Sequence, residues 1–165
     1  MTDATLSATP AATDNQPVYS IEKIYVKDLS LEVPNAPQIF LERESPNVDV
    51  QLHHVSKSVD DGIYQTELTL TVTAKVGEKT MFLVECCQAG IFAIRNVPNQ
   101  DLEPILAIGN PNILYPYARE SISDAIVRAG FPPVLLNPVN FEALFQAQKA
   151  QEAEQSATPA PVLTH

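Results

Sequence analysis

A long alternating segment constrains this chain more than any other feature of its sequence. Over residues 64–76, apolar side chains recur at every second position apart from Thr66, and the positions between them are polar, three of them threonine. This period of two predicts a β-strand with one buried face. Gly77 and Glu78 then form a short link to a second apolar run over residues 79–94, so the two runs predict an antiparallel hairpin. Any fold of the chain must be built around this hairpin.

The second strand of the hairpin is apolar on both faces, in Met81, Phe82, Leu83, Val84, Cys86 and Cys87. An antiparallel strand in a small domain needs only one apolar face, so the second apolar face of this strand is most simply explained by contact with a second subunit. Together with the helical and connecting segments described below, the apolar material exceeds what a small monomer requires. The surplus predicts a self-association surface, and a groove that takes up apolar segments of other proteins is compatible with it.

Two shorter strands precede the hairpin. The first alternates in three phases, and because each change of phase moves the buried face by one residue, it predicts bulges or bends between them. The three phases consist of Tyr19 and Ile21, then Ile24 and Val26, then Leu29, Leu31 and Val33. The second strand has Val48, Val50 and Leu52 on one face, and a polar turn is predicted after it at residues 56–62.

The period changes to that of a helix in the C-terminal third. Asn110 before Pro111 predicts an N-cap, and an apolar stripe follows until Gly130 ends the helix. The stripe consists of Leu114, Ala118, Ser121, Ile122, Ala125, Ile126 and Ala129. An extended, proline-rich connection over residues 131–139 leads to a last helix, with Asn140 as its predicted cap and Phe141, Leu144 and Phe145 on one face.

Length and charge narrow the class of protein. A chain of 165 residues with 45% hydrophobic residues predicts one domain, which we place at residues 18–147 between disordered tails at 1–17 and 148–165. The net charge of −10 disfavours nucleic acid and anionic membranes as partners. No segment has the length of a membrane span or the pattern of a signal peptide, so we expect no direct membrane insertion and a cytoplasmic location.

Few residues suggest chemistry. His53 and His54 are adjacent, and so are Cys86 and Cys87, which we expect to be reduced thiols because neighbours on a strand point to opposite faces. Their spacing does not suit a metal, and no phosphate-binding loop or nucleophile motif is present, so we expect no catalytic residue, metal or cofactor. A small cytosolic enzyme that uses these histidines and cysteines remains the alternative from another class.

Several segments, in this order along the chain, closely resemble the SecB family of bacterial export chaperones. They are residues 24–32 (IYVKDLSLE), 34–37 (PNAP), 90–92 (GIF), 111–120 (PNILYPYARE) and 138–145 (PVNFEALF). The resemblance implies an α+β protomer with a four-stranded antiparallel sheet and two main helices packed on one side, assembling as a dimer of dimers. It also implies a chaperone without an ATP requirement, a holdase that keeps unfolded preproteins competent for translocation and delivers them to the SecA ATPase. A relative that serves a toxin and antitoxin pair would look much the same.

The resemblance also assigns roles to residues. SecA binding is implied for Asp28, Glu32, Leu83 and Glu85. Tetramer stability is implied for Val84, Cys86 and Gln88, and the helical stripe Leu114, Ala118, Ile122, Ala125 and Ile126 is expected to join them. The client groove is expected to be lined by Val48, Val50, Leu52, Phe131, Leu135, Leu136, Phe141, Leu144 and Phe145.

Overall fold

The computed structural model describes residues 15–157, and for residues 155–157 it describes the backbone alone. Four long strands form one antiparallel sheet, and helices cover one of its faces, as expected for the α+β class. The strands are β1 (Val18–Glu32), β2 (Asn47–Asp60), β3 (Ile63–Val76) and β4 (Lys79–Arg95). Most of the expected N-terminal tail, residues 1–14, and the last part of the expected C-terminal tail, residues 158–165, lie outside the described residues.

The sheet has the order β1-β4-β3-β2, so β1 and β2 are its edges. The predicted β3–β4 hairpin is confirmed, and Gly77 provides the positive φ of 56° that its two-residue turn requires. The turn predicted at residues 56–62 is wrong, because β2 continues to Asp60 and only Asp61 and Gly62 form the turn. Ser56 and Lys57 are polar because they contact polar side chains of the neighbouring strand β3: Ser56 shares a hydrogen bond with Thr66, and Lys57 forms an ion pair with Glu67.

Two bulges interrupt β1 where the sequence changes phase. The pairing with β4 shifts between Ile21 and Lys23 and again between Val26 and Asp28, which confirms both predicted irregularities. Each extra residue restores the alternation, so the apolar side chains of all three phases lie on the face that carries the helices. We call this the helical face of the sheet and the opposite one the open face.

A nearly continuous helical segment follows β4. It comprises α1 (Asn99–Pro104), a π-helical turn (Ile105–Gly109) and α2 (Asn110–Arg128). The predicted N-cap at Asn110 is wrong, since Asn110 has helical angles (φ −62°, ψ −47°) and follows a helical turn. Its side chain is buried and binds Tyr19 and Thr66 instead. The predicted end at Gly130 is confirmed, with φ of 89° at that residue.

The core lies between α2 and the helical face of β3 and β4. Gly90 allows the close approach, because a Cβ at this position would lie 3.0 Å from the Leu114 side chain. All eight residues expected at the tetramer interface are at most 6% exposed within the protomer. They are Val84, Cys86, Gln88, Leu114, Ala118, Ile122, Ala125 and Ile126. The apolar stripe of α2 is therefore covered by its own sheet, and these side chains offer almost no surface to another subunit.

The last helix, α3 (Phe141–Ala157), begins where the sequence predicts it. The Asn140 side-chain oxygen accepts a hydrogen bond from the backbone N–H of Ala143 at 3.0 Å, which confirms Asn140 as the cap. Phe141 is 1% exposed and anchors the helix in the core. The helix continues to Ala157, which is ten residues into the segment 148–165 that the sequence predicts as a C-terminal tail.

Candidate functional site

Four residues that the resemblance associates with SecA binding share the open face. Glu32 lies directly opposite Leu83, and Asp28 lies opposite Cys87 in the β1–β4 ladder. Directly opposed residues point to the same face, and Glu85 is two positions from Leu83 and so shares it. The second bulge of β1 is what brings Asp28 to this face. We call Asp28, Glu32, Leu83 and Glu85 the acidic surface.

Glu85 has a hydrogen-bond partner on the neighbouring strand. The Thr71 hydroxyl donates to Oε2 of Glu85 at 2.7 Å, and the two residues face each other in the β3–β4 ladder. Asp28 and Glu32 are exposed on the edge strand, whereas Glu85 is partly buried on an interior strand. The acidic surface therefore combines two exposed carboxylates with one that is held in place.

A cluster of opposite charges borders the acidic surface. The carboxylate of Glu67 on β3 forms ion pairs with the ammonium groups of Lys27 at 2.7 Å and Lys57 at 3.6 Å. The hydrogen bond from Lys27 is the main reason why the pKa of Glu67 lies below its ordinary value. Because two cations already engage this carboxylate, Glu67 adds little net negative charge to the acidic surface.

The helical face carries a cleft of about 750 Å³ beside the edge strand β2. Its walls come from β2, from the segment 99–107 and from α3. The lining residues are Leu52, His53, His54, Val55, Ser56, Asn99, Leu102, Glu103, Leu106, Ala107, Leu144, Phe145, Gln148, Lys149 and Glu152. Apolar side chains in the walls and charged ones on α1 and α3 give it the character of a site for apolar peptide segments.

The expected groove residues separate into three groups. Leu52, Leu144 and Phe145 line the cleft, and Val48 and Val50 continue the same face of β2 with exposures of 39% and 46%. Three others belong to the core: Phe131, Leu136 and Phe141 are at most 9% exposed. Leu135 is 86% exposed and lies with Pro116 and Val134 at a separate shallow depression.

Sequence reasoning missed one wall of the cleft. Leu102, Leu106 and the acidic Glu103 belong to α1 and the π-helical turn, a segment for which no helix was predicted. The spacing of Leu102, Ile105 and Leu106 is that of one face of a helix and was the available signal. Lys149 was also missed. Its ion pair with Glu103 joins α3 to α1, and a second ion pair, with Glu152 at 3.7 Å, lies within α3.

His54 and Cys86 are not placed to react together. Cys86 is buried on the helical face, and burial raises the pKa of its thiol to about 11, which suppresses the nucleophilic thiolate. His54 lies on β2 and Cys86 on β4, with β3 between them, so roughly 10 Å of sheet separates the two strands. The pKa of His54 lies below its ordinary value, mainly because the side chain is partly buried. Its ring packs edge-on to the ring of Phe141, with the two ring centroids 6.4 Å apart.

Within residues 15–157, no three histidine, cysteine or acidic side chains are grouped so that they could hold a metal ion. None of the helices in that range has the length and hydrophobicity that crossing a bilayer requires.

Known proteins are similar to this chain in sequence and in fold. The family model described as "Preprotein translocase subunit SecB" matches residues 12–152. A relative from Chromobacterium violaceum named "Protein-export protein SecB" is 63% identical over 139 residues, covering 84% of this chain and 93% of the relative. A relative of the same name from Dechloromonas aromatica is 60% identical over 149 residues, covering 90% of this chain and 96% of the relative.

A solved structure resembles the fold at low sequence identity. It is a Mycobacterium tuberculosis SecB-like chaperone in complex with a peptide from an antitoxin. The TM-score is 0.61 at 16% identity, and the match covers 73% of this chain and 90% of the other. At this identity the likeness supports the fold alone, whereas the relatives near 60% identity carry the name of export chaperones.

Proposed function

The chain belongs to the SecB family and is a protein-export chaperone, and we propose that it works as a cytoplasmic holdase with separate surfaces for unfolded preproteins and for SecA. The observation that carries this proposal is the division of one sheet into two faces. An acidic surface lies on the open face, and an apolar cleft lies on the helical face. A partner on one face leaves the other accessible, so a client can remain bound while SecA docks.

We assign client binding to the cleft. An unfolded segment can bury apolar side chains against Leu52, Leu106 and Leu144. Because β2 is an edge strand, its outer backbone groups pair with no other strand within residues 15–157, so they can also bind the client main chain. Neither contact requires a particular client sequence. Binding of many non-native chains by such contacts lowers the concentration of free chains that aggregate, without a need for ATP.

We assign SecA docking to the acidic surface. Three carboxylates around Leu83 suit a basic segment of the ATPase, since complementary charge accelerates association and fixes the orientation of the partner. Salt should weaken this contact because exposed charges are screened within about 10 Å at 0.1 M ionic strength.

We assign one subunit contact of the proposed homotetramer, a dimer of dimers, to the other edge of the sheet. Apolar side chains of β1 lie on the helical face at 37–47% exposure, and β1 is an edge strand whose outer backbone groups pair with no other strand within residues 15–157. These side chains are Tyr19, Ile21, Val26, Leu29 and Leu31. A second copy would cover them and extend the sheet. The buried residues of α2 contribute to this assembly indirectly, by fixing the position of the helix.

The test is the aggregation of a reduced, slowly folding preprotein after dilution from denaturant, followed by light scattering without ATP. We expect suppression that saturates near one tetramer per client. Leu144→Asp places a charge in the cleft and should weaken suppression, whereas Leu135→Asp, at a more exposed residue outside the cleft, should not. Full suppression by the Leu144 variant would remove the cleft from the client site, and no suppression by the native protein would contradict the holdase mechanism.

A further inference from the structure

Glu85 occupies a setting that the other acids of the acidic surface lack. It lies on the interior strand β4, with Ser30 opposite it on β1 and Thr71 opposite it on β3. The hydroxyl of Thr71 donates to Oε2 at 2.7 Å. The other two acids lie on the edge strand β1, each beside only one neighbouring strand of the protomer. Glu85 is thus the acid of this surface that a hydrogen bond from a neighbouring strand holds in place.

The hydrogen bond from Thr71 restrains a flexible side chain. A glutamate loses rotamer freedom when a partner binds it, and that entropic cost reduces affinity. Threonine is branched at Cβ, so its own hydroxyl has few orientations and is a rigid donor. With Oε2 held, the Oε1 atom and the remaining lone pairs of the carboxylate stay available to a cation.

We propose that Thr71 is a positioning residue for SecA docking, which orders the Glu85 carboxylate before a basic segment of the ATPase arrives. This inference rests on the proposed role of the acidic surface. It extends that surface onto β3, a strand to which neither the sequence nor the family resemblance assigned a docking role. The nearby carboxylate of Glu67 does not compete for the partner's cations, because Lys27 and Lys57 already engage it.

The chain provides matched variants for the test. Thr71→Val keeps the β-branched shape and removes the donor, and Thr71→Ser keeps the donor. Thr69→Val removes a hydroxyl from the same strand and face, opposite Cys87 on β4 and His53 on β2 rather than an acid. The affinity of each full-length variant for SecA is measured by calorimetry at low and high salt, alone and combined with Glu85→Gln. Thermal unfolding confirms that each variant is folded.

We expect Thr71→Val to weaken SecA binding at low salt about two- to fivefold. The serine variant and Thr69→Val should bind like the native protein, and Thr71→Val should have no further effect once Glu85 is replaced by Gln. Native affinity of Thr71→Val, or an equal loss in the Glu85→Gln background, would overturn the positioning role. If Glu85→Gln itself binds SecA normally, Glu85 has no part in docking, and both its place in the acidic surface and the inference fail. Weaker binding by Glu85→Gln together with native affinity of Thr71→Val would overturn the inference alone.

Discussion

The side-chain amide of Asn110 on α2 donates to the Thr66 hydroxyl of β3 at 2.9 Å, and both residues are fully buried. The Asn110 oxygen accepts from the Tyr19 hydroxyl of β1 at 2.8 Å, and Thr66 shares a further hydrogen bond of 2.8 Å with Ser56 of β2. Ser56 also donates to the backbone oxygen of Leu106 in the π-helical turn at 3.2 Å. One polar chain thereby joins both edge strands to the helical segment.

Replacement of Asn110 should destabilise the protein. Asn110→Ala leaves the buried Thr66 hydroxyl with fewer partners and removes the link to Tyr19, so we expect a loss of about 2 kcal/mol in the free energy of unfolding. Urea denaturation at a fixed protomer concentration measures it, since assembly contributes to apparent stability. Asn112→Ala, at an exposed position of the same helix, is the control and should change stability little. Because alanine forms helices better than asparagine does, helix propensity cannot cause a loss, and an equal loss in both variants would contradict the role of the polar chain.

The ion pairs of Glu67 predict a dependence of stability on pH. Because Lys27 holds the pKa of Glu67 below its ordinary value of 4.5, the carboxylate stabilises the fold above the pKa of the unfolded state. This contribution is lost as the pH falls through the lower pKa of the folded state. Glu67→Gln should therefore cost about 0.5–1 kcal/mol at pH 7, a small value because Lys27 is 45% exposed.

The same substitution should cost progressively less below about pH 4.5, as native Glu67 also becomes neutral. Chemical denaturation at a series of pH values checks this, with Glu78→Gln in the exposed β3–β4 turn as the control. A difference between native protein and Glu67→Gln that stays constant down to pH 3 would assign the effect to packing instead of charge.

The second bulge of β1 gives a prediction about deletions. Lys27 is the residue without a partner in the ladder, since Val26 pairs with Gln88 and Asp28 with the adjacent Cys87. Deleting Lys27 leaves Val26, Leu29 and Leu31 on the helical face, whereas deleting Ser30 moves Leu31 to the open face and Glu32 toward the core side. We expect the Ser30 deletion to lower the melting temperature clearly more than the Lys27 deletion, as measured by circular dichroism. Equal melting temperatures would mean that alternation does not fix the register of β1.

These elements show what the sequence could predict. Alternation assigned faces correctly within each strand, including both phase changes of β1, because burial repeats every two residues. It did not reveal that Thr71 faces Glu85, since the pairing of two strands depends on their relative register. The helical wall at residues 99–109 was missed because Pro98, Pro104 and Gly109 interrupt the usual signals.

The apolar stripe of α2 shows a different limit. The sequence established that residues such as Leu114 and Ile122 are buried, and the structure buries them against the sheet of their own protomer. Periodicity reports that a face is covered but does not distinguish a subunit's own sheet from a partner's surface. Only the structure shows that the apolar side chains of β1, unlike those of α2, stay partly exposed within the protomer.

The ion pair between Lys149 and Glu103 predicts how α3 closes the cleft. Phe141 anchors the start of α3 in the core, but the later turns are exposed, and Lys149 connects them to α1 across the cleft. Lys149→Gln removes this connection. Because exposed ion pairs contribute only about 0.2–1 kcal/mol, amide exchange over residues 146–154 should accelerate roughly two- to fivefold, with exchange in β3 unchanged. Hydrogen–deuterium exchange with mass spectrometry measures this directly.

Arg128→Gln is the matched control, because it removes an exposed ion pair with Asp124 on α2, away from the cleft. It should leave exchange in α3 at the native rate. High salt should reproduce the effect of Lys149→Gln in the native protein and add little in the variant, since screening and substitution remove the same attraction. If exchange over residues 146–154 is insensitive to both changes, α3 is held by its apolar contacts, those of Phe141 included, and opening of the cleft does not depend on charge.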